Sequence, residues 1–373
     1  MNILRRLPLS RLLLACALVL VIGVSATALA SALSSGPTPQ PKPLAQAIHD
    51  ALSGTGGEQI QGVSASVTLT DHLLEGANLA GGGHDGASSP DGELTSSPLV
   101  TGASGRLWLA KDGDLRLELQ SQQGDTQILY DGRTISLYDA ASNTEYRYTP
   151  PAGEPHAPSK APDEVPSVAK IEEAIAHLSK HADVSGATPT DVAGQAAYTV
   201  RVSPKESGSL FGGVELSFDA LHGVPLRAAV YSSTTATPVI ELAATEISYG
   251  PVSDSVFEVN PPSNAKIEEL KPPSSTEAQA QHKPADGGEK PNITTDGSGP
   301  STIAVLQSKE KAGAKTDASE PLEGLPKVTI NGTSASELRT ELGTLLTFER
   351  SGVRYLLAGS VTPAQIEAVA RGL

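Results

Sequence analysis

The sequence predicts an α+β fold: a curved antiparallel β-sheet with one helix ahead of it and another inserted within it. Three observations carry this. In several runs between residues 63 and 249, apolar residues recur at every second position, the period of a strand with one face buried. The links between the early runs are short and made of turn residues, which joins neighbouring strands antiparallel. Two stretches break the alternation with helical spacing: Leu44, Ile48 and Leu52, then Val168, Ile171, Ile175 and Leu178.

Gly54 ends the first helix. Val63, Ala65, Val67 and Leu69 then alternate with Ser64, Ser66, Thr68 and Thr70. Residues 76–105 read as a Gly/Ser-rich loop without periodicity. Leu107 and Leu109 resume the alternation, Lys111-Asp112-Gly113-Asp114 forms a hairpin turn, and Leu115, Leu117 and Leu119 face away from Arg116, Glu118 and Gln120. Asp112 and Asp114 are turn formers here rather than a catalytic carboxylate pair, because their short side chains bond their own backbone. Strands at 127–130, 134–138 and 144–148 complete a meander, with Tyr146 and Tyr148 on one side. Proline-rich residues 150–166 interrupt it, and Ser167 is placed to cap the second helix. Strands follow at 197–202, 213–218, 226–231 and 239–249. In the last, Ile240 and Leu242 fall on even positions and Ile247 and Tyr249 on odd ones. That phase slip predicts a bulge near residues 243–245, which curves the sheet.

The N-terminus reads as an export segment. Arg5, Arg6 and Arg11 precede an uncharged run from residue 12 to residue 33, long enough for a secretory signal and just long enough to span a bilayer. Arginines before the run and none after it place the remainder outside the cytoplasm. Ala28-Leu29-Ala30 and Ala30-Ser31-Ala32 are small-x-small sites suited to a signal peptidase, so cleavage and retention as an anchor are both open. Beyond this segment the chain carries 24 basic against 42 acidic side chains, a net −18. Such a charge disfavours nucleic acid and anionic lipid surfaces. The lone cysteine, Cys16, lies inside the apolar run, so the exported part has no disulfide and no thiol chemistry.

Residues 261–325 are poor in apolar side chains and rich in Pro, Gly, Ser, Lys and Glu, the composition of a disordered linker. After it, Val328 and Ile330 open a small structured segment with a short helix expected at 336–342, a hairpin turning at Ser351-Gly352, and a last helix starting at Pro363. Thr362 and Gln365 have the spacing of a capping box for that helix. Such a short segment does not easily bury a core alone, so it is expected to dock on the main sheet.

No nucleophile elbow, phosphate loop, zinc-protease motif or dinucleotide fingerprint occurs, and the expectation is a non-enzymatic protein without cofactor or metal. Glu173, His177 and His181 have a spacing that puts three ligands on one helix face. No second cluster completes a coordination sphere, which favours a solvated stripe.

Several motifs, in order, resemble the periplasmic lipoprotein-carrier superfamily of LolA, LolB, LppX, LprG and RseB. They are Gly105-Arg106-Leu107-Trp108-Leu109, then the run from Ile128 through Tyr130-Asp131-Gly132 to Leu137-Tyr138-Asp139. Later come Phe218-Asp219 before Gly223-Val224-Pro225-Leu226, and Phe257 before Pro261-Pro262. The chain departs from the Gram-negative carriers at Lys111-Asp112-Gly113, where they have Arg-Pro.

The resemblance implies an incomplete barrel with helices as a lid over an apolar cavity that takes lipid or lipoprotein acyl chains. The cavity lining expected from the alternation is Val67, Leu69, Leu107, Leu109, Leu117, Leu137, Val200, Leu216 and Val230. It also implies an alternative, an RseB-like sensor whose C-terminal piece contacts an anti-sigma protein. A module whose sheet is filled by its own helices is the third reading. The expected division is 1–36, signal peptide or membrane anchor; 37–265, LolA-like half-barrel; 266–325, linker; and 326–373, docked C-terminal segment. Fractionation of cells expressing the full chain is expected to recover it with membranes, its folded part open to protease from outside. Recovery solely as processed protein in the medium would replace the anchor with simple secretion.

Overall fold

The computed structural model describes residues 36–54, 60–75, 99, 102–122, 124–149, 165–258, 261–270, 292–309 and 325–373. The expected export segment, most of the 76–105 loop and residues 271–291 and 310–324 of the expected linker lie outside these. Among the described residues no helix is long and apolar enough to cross a membrane.

The chain opens with α1 (Leu44–Ser53) and β1 (Gly62–Asp71). A meander follows: β2 (Ala103–Ala110), β3 (Leu115–Gln120), β4 (Asp125–Tyr130), β5 (Ile135–Asp139) and β6 (Thr144–Tyr148). After α2 (Val168–Leu178) come β7 (Ala182–Val184), β8 (Thr188–Val192), β9 (Gln195–Pro204), β10 (Phe211–Asp219), β11 (Pro225–Ser232) and β12 (Pro238–Tyr249). With β13 (Lys266–Leu270) these strands form one 13-stranded sheet in the order β13-β6-β5-β4-β3-β2-β1-β12-β11-β10-β9-β7, and β8 also pairs with β9. The sheet is open at both ends. It is no closed barrel.

The expected meander and both helices are present. Ser167 caps α2 by accepting from the Lys170 amide, as its position predicts. The phase slip in β12 is also real: Ser66 opposes Glu246 but Val67 opposes Ala244, leaving Thr245 as the extra residue of a bulge. The loop expected to reach residue 105 is shorter, because β2 begins at Ala103.

One end of the sheet is filled by helix. Leu44, Ala47, Ile48 and Ala51 of α1 and Leu178 of α2 pack on Tyr198, Val200 and Val202 of β9 and Val214, Leu216 and Phe218 of β10. The alanines let α1 lie close to the strands. Gly223, in the turn between β10 and β11, has φ +68°, and a Cβ there would stand 2.4 Å from the Ala51 carbonyl oxygen. That turn is therefore pressed against the end of α1 and admits only glycine. Asp219 organises the same turn. Its carboxylate accepts from the amides of Leu221 (2.7 Å) and His222 (2.6 Å), and from the hydroxyl of Tyr249 (2.7 Å) at the end of β12.

The region beyond residue 290 corrects two expectations. Within the span read as linker, β13 already pairs with the large sheet, and β14 (Asn292–Asp296) and β15 (Ile303–Lys309) are strands as well. They join β16 (Lys327–Ile330), β17 (Thr333–Thr340), β18 (Gly343–Arg350) and β19 (Val353–Gly359) in a six-stranded sheet ordered β14-β15-β19-β18-β17-β16. The helix expected at 336–342 is strand instead: β17 is hydrogen-bonded on both sides, and that pairing overrides local helix preference. This sheet has its own core. Ile303 and Val305 pack with Ile330, Leu346, Phe348 and Leu357 under Ile366 and Ala370 of α3 (Pro363–Arg371). α3 begins with the expected Thr362/Gln365 capping box. β15, a strand from the supposed linker, supplies part of the core that a terminal segment alone lacks. The two sheets meet through polar contacts: the Leu210 amide to the Ser360 carbonyl (2.7 Å), Gln365 Nε2 to the Gly208 carbonyl (3.0 Å), and the Glu341 amide to the Leu73 carbonyl (3.1 Å).

Burial, reinforced by the hydrogen bond to Asp219, raises the Tyr249 hydroxyl well above its ordinary pKa of 10.0. A raised folded-state value contributes stability that is fully present below pH 10.0 and is lost as the pH climbs from there toward the folded-state value. Tyr231 shifts in the same direction through burial. Tyr249→Phe is therefore expected to be less stable than wild type at pH 8, with the gap narrowing as the pH approaches 11. Denaturant melts across that range check it. A gap independent of pH would show that Tyr249 ionises freely.

Candidate functional site

Residues directly opposite one another in paired strands share a face of the sheet. Following the register from strand to strand shows which side chains line up. One row runs Ala65, Leu107, Leu117, Ile128, Leu137, Tyr146 across β1 to β6. A second runs Val63, Leu109, Leu115, Tyr130, Ile135, Tyr148. At the spacing of paired strands, each row extends about 24 Å from β1 to β6. On the other side of β1, Val67 aligns with Ala244 and Leu69 with Leu242. Leu242 aligns with Ala228 and Leu216, and Leu216 with Val200, while Val230 aligns with Val214.

All the residues expected to line a cavity thus lie on one face, in two environments. Val200, Leu216 and Val230 belong to the helix-covered core with α1, so they are filled rather than open. Val67, Leu69, Leu107 and Leu117 form a separate cluster with Ala65, Leu119 and Leu99, which contains no residue of α1 or α2. Leu109 and Leu137 lie in the rows beyond it. Val67, Ala65 and Leu119 are buried, the other residues expected to line a cavity here are only half-buried, and Ile135 in the second row is 40% exposed. Ile128, Tyr130 and Leu115 are equal members of the rows that the alternation left unnamed. The signal was present in Leu115, whose phase matches Leu117.

The opposite face is polar and carries two features. Across β9 to β12, Arg227 bonds Glu241 through Nε (2.8 Å), reaches Glu215 and bonds the Tyr231 hydroxyl (3.0 Å). Arg201 lies 4.0 Å over the Tyr231 ring and 3.7 Å from Glu215. With matched charges and mutual hydrogen bonds, this cluster is a structural tie between strands. Across β12, β1, β2 and β3 lies a groove of about 780 Å³ lined by Ser66, Thr68, Ser104, Arg106, Glu118, Gln120 and Thr245. Of the expected cavity residues only Val67 borders it. This groove is thus polar and lies on the side away from the apolar rows.

Glu173 and His177 lie on α2, which ends at Leu178. His181 falls in the turn beyond, with its ring centre 6.4 Å from that of His177. Among the described residues no three His, Cys, Asp or Glu side chains are placed to hold a metal ion.

No family model matches the sequence, and no curated protein matches it. Among solved structures, the chain is similar to MucB in complex with MucA(peri), with TM-score 0.40 and 12% identity over 88% of this chain and 97% of that one. It is similar to MucB alone at TM-score 0.36 and 13% identity, over 88% and 95% of the two chains. A putative outer membrane lipoprotein-sorting protein domain from Vibrio parahaemolyticus follows at TM-score 0.21 and 11% identity, over 57% and 95%. At these identities and scores the likeness is one of general architecture and says nothing of ligand or partner.

The two polar features separate by mutation. Arg227→Ala leaves Glu215 and Glu241 without their shared cation and is expected to lower stability by about 2–3 kcal/mol, toward the lower end for a broken buried pair because Arg227 keeps 21% exposure. Arg106→Ala, on an exposed groove wall, is expected to leave the denaturation midpoint unchanged. Urea titration of both variants checks the contrast.

Proposed function

We propose that this chain is an extracytoplasmic, non-enzymatic protein of the cell envelope that holds a lipid or lipoprotein acyl chain against the apolar face of β1 to β6. The observation that carries this is the pair of cross-strand rows ending in Tyr146 and Tyr148. They are apolar throughout, and beyond the buried Val63 and Ala65 of β1 they are half-buried or, at Ile135, exposed; among the described residues the cluster at their base takes one helical side chain, Leu99, and none from α1 or α2. A filled core would bury these side chains as completely as α1 buries Val200 and Leu216. Moving an acyl chain out of a bilayer forfeits about 0.8 kcal/mol per methylene, on the order of 12 kcal/mol for a sixteen-carbon chain. An uninterrupted apolar strip spanning several strands is the kind of surface able to offset that. The N-terminal export segment places the same face outside the cytoplasm, in reach of envelope lipid.

A second reading keeps the lipid and adds a listener. In it the chain is an envelope sensor that passes the bound state to a regulatory protein such as an anti-sigma factor. The observation favouring it is the six-stranded sheet with its own core, joined to the main sheet mainly by hydrogen bonds rather than by a shared apolar cluster. Such a joint is able to shift when the main sheet changes occupancy.

The test is lipid mass spectrometry on protein purified from its native envelope, repeated for Leu137→Glu. Leu137 sits between Ile128 and Tyr146 in the first row. On an open face its carboxylate stays hydrated or protonated at a cost of a few kcal/mol. The variant is then expected to melt cooperatively within about 10 °C of wild type and to lose its lipid. If the variant unfolds and the wild type carries no lipid, the sheet is a plain structural module.

A further inference from the structure

We propose that the outer edge of β6 accepts an extended segment of another polypeptide, and that β13 is a poorly matched resident strand which such a segment displaces. This holds whether or not the apolar face takes lipid.

β13 is the one strand of the described large sheet that pairs parallel to its neighbour. Its alternation runs against the faces it meets. The register sets Ile267 beside Glu145, Glu268 beside Tyr146, Glu269 beside Arg147 and Leu270 beside Tyr148. Tyr146 belongs to an apolar row, yet receives a carboxylate. Glu145, 5% exposed on the polar face, receives an isoleucine. Only Glu269 and Leu270 suit their neighbours. Neither apolar side chain of β13 is buried, whether matched or not: Ile267 is 49% and Leu270 50% exposed, far above a strand that buries one face. Glu268 resolves its position by pairing with Lys266 of its own strand rather than with anything on β6.

What holds β13 is therefore backbone. Beyond the ladder, the Lys266 amide donates to the Asn143 carbonyl (2.9 Å), and Asn143 Nδ2 donates to the Asn264 carbonyl (3.0 Å). Any extended chain makes the same ladder, so a strand with matching side chains has the advantage. The edge specifies that strand. It wants a basic residue beside Glu145, an apolar one beside Tyr146, an acidic one beside Arg147 and an apolar one beside Tyr148. Glu145 and Arg147 already form an ion pair at 2.7 Å, and the incoming charges would extend it along the strand. The partner class is thus a polypeptide segment with alternating basic, apolar, acidic and apolar residues, bound by strand addition.

The probe is a fluorescein-labelled peptide, Gly-Ser-Thr-Lys-Val-Glu-Val-Thr-Ser-Gly, titrated by anisotropy against three forms of the full chain. These are wild type, a form with residues 266–270 replaced by Gly and Ser, and Ile267→Lys/Glu268→Val, which repairs the alternation of β13. The replaced form is expected to bind about tenfold tighter than wild type and the repaired form about tenfold weaker. A peptide of the same residues with the alternation removed, Gly-Ser-Lys-Thr-Thr-Glu-Val-Val-Ser-Gly, should bind none of them. Equal affinity for all three forms, or no binding to a replaced form whose β6 amides exchange rapidly, overturns the proposal. Should the replaced form fail to fold, the comparison of wild type with Ile267→Lys/Glu268→Val decides alone, and equal affinities there overturn it.

Discussion

The pairing of β1 with β12 is the constraint on which the rest of the large sheet depends. Without it the chain holds two separate antiparallel systems, β1 to β6 and β7 to β12. Each has an apolar face, and nothing relates the two. The register from Val63 opposite Tyr249 to Asp71 opposite Ile240 welds them edge to edge. The bulge at Thr245 is what makes the weld work. Ile240 and Leu242 face the same side as Val230 and Ala228 of β11, and one extra residue later Ile247 faces the same side as Ala65 of β1. A strand without that residue would turn one half of its apolar side chains outward.

The weld also explains why one continuous face has two characters. On the β9–β10 side, the small residues Ala47 and Ala51 let α1 settle close against the strands, and Gly223 lets the β10–β11 turn close over the helix end. On the β2–β6 side the row residues are Leu, Ile and Tyr, large side chains aligned with one another from strand to strand. The same sheet is thus a finished core at one end and a half-covered surface at the other. The polar side shows a matching division, a tied ionic cluster behind the core and an open groove near the bulge.

Much of this was legible from local pattern. The meander was readable because Leu107, Leu117 and Leu137 alternate with polar neighbours and the turns between them are built from Asp and Gly. The bulge was readable as a phase change between Leu242 and Ile247. The shared face of the expected cavity residues follows from those alternations. The environments did not follow, because whether Val200 meets a helix or open space is set by where α1 docks, a long-range matter. The second sheet was missed for a related reason. β14 reads Asn-Ile-Thr-Thr-Asp and is exposed along its whole length, so it carries no apolar period at all. β17 pairs on both sides, yet Ser336 and Glu337 at its centre resemble the opening of a helix. Glu337 is nonetheless buried and paired with Arg339. β13 was hidden because its alternation fits neither face of the sheet it joins.

The separation of β1 from its partner bears on the order in which the molecule assembles. Val63 and Tyr249 stand 186 positions apart, so while the chain is synthesised, β1 and the meander emerge long before β12 exists to meet them. During that interval one edge of β1 is a bare ladder of amides and carbonyls, and the leucine rows have no finished core beside them. The serines and threonines on the other face of β1 keep that waiting strand from being apolar on both sides. Late closure of the sheet makes the nascent N-terminal half a natural client for whatever chaperone meets the chain first, until β12 arrives to cover the edge of β1.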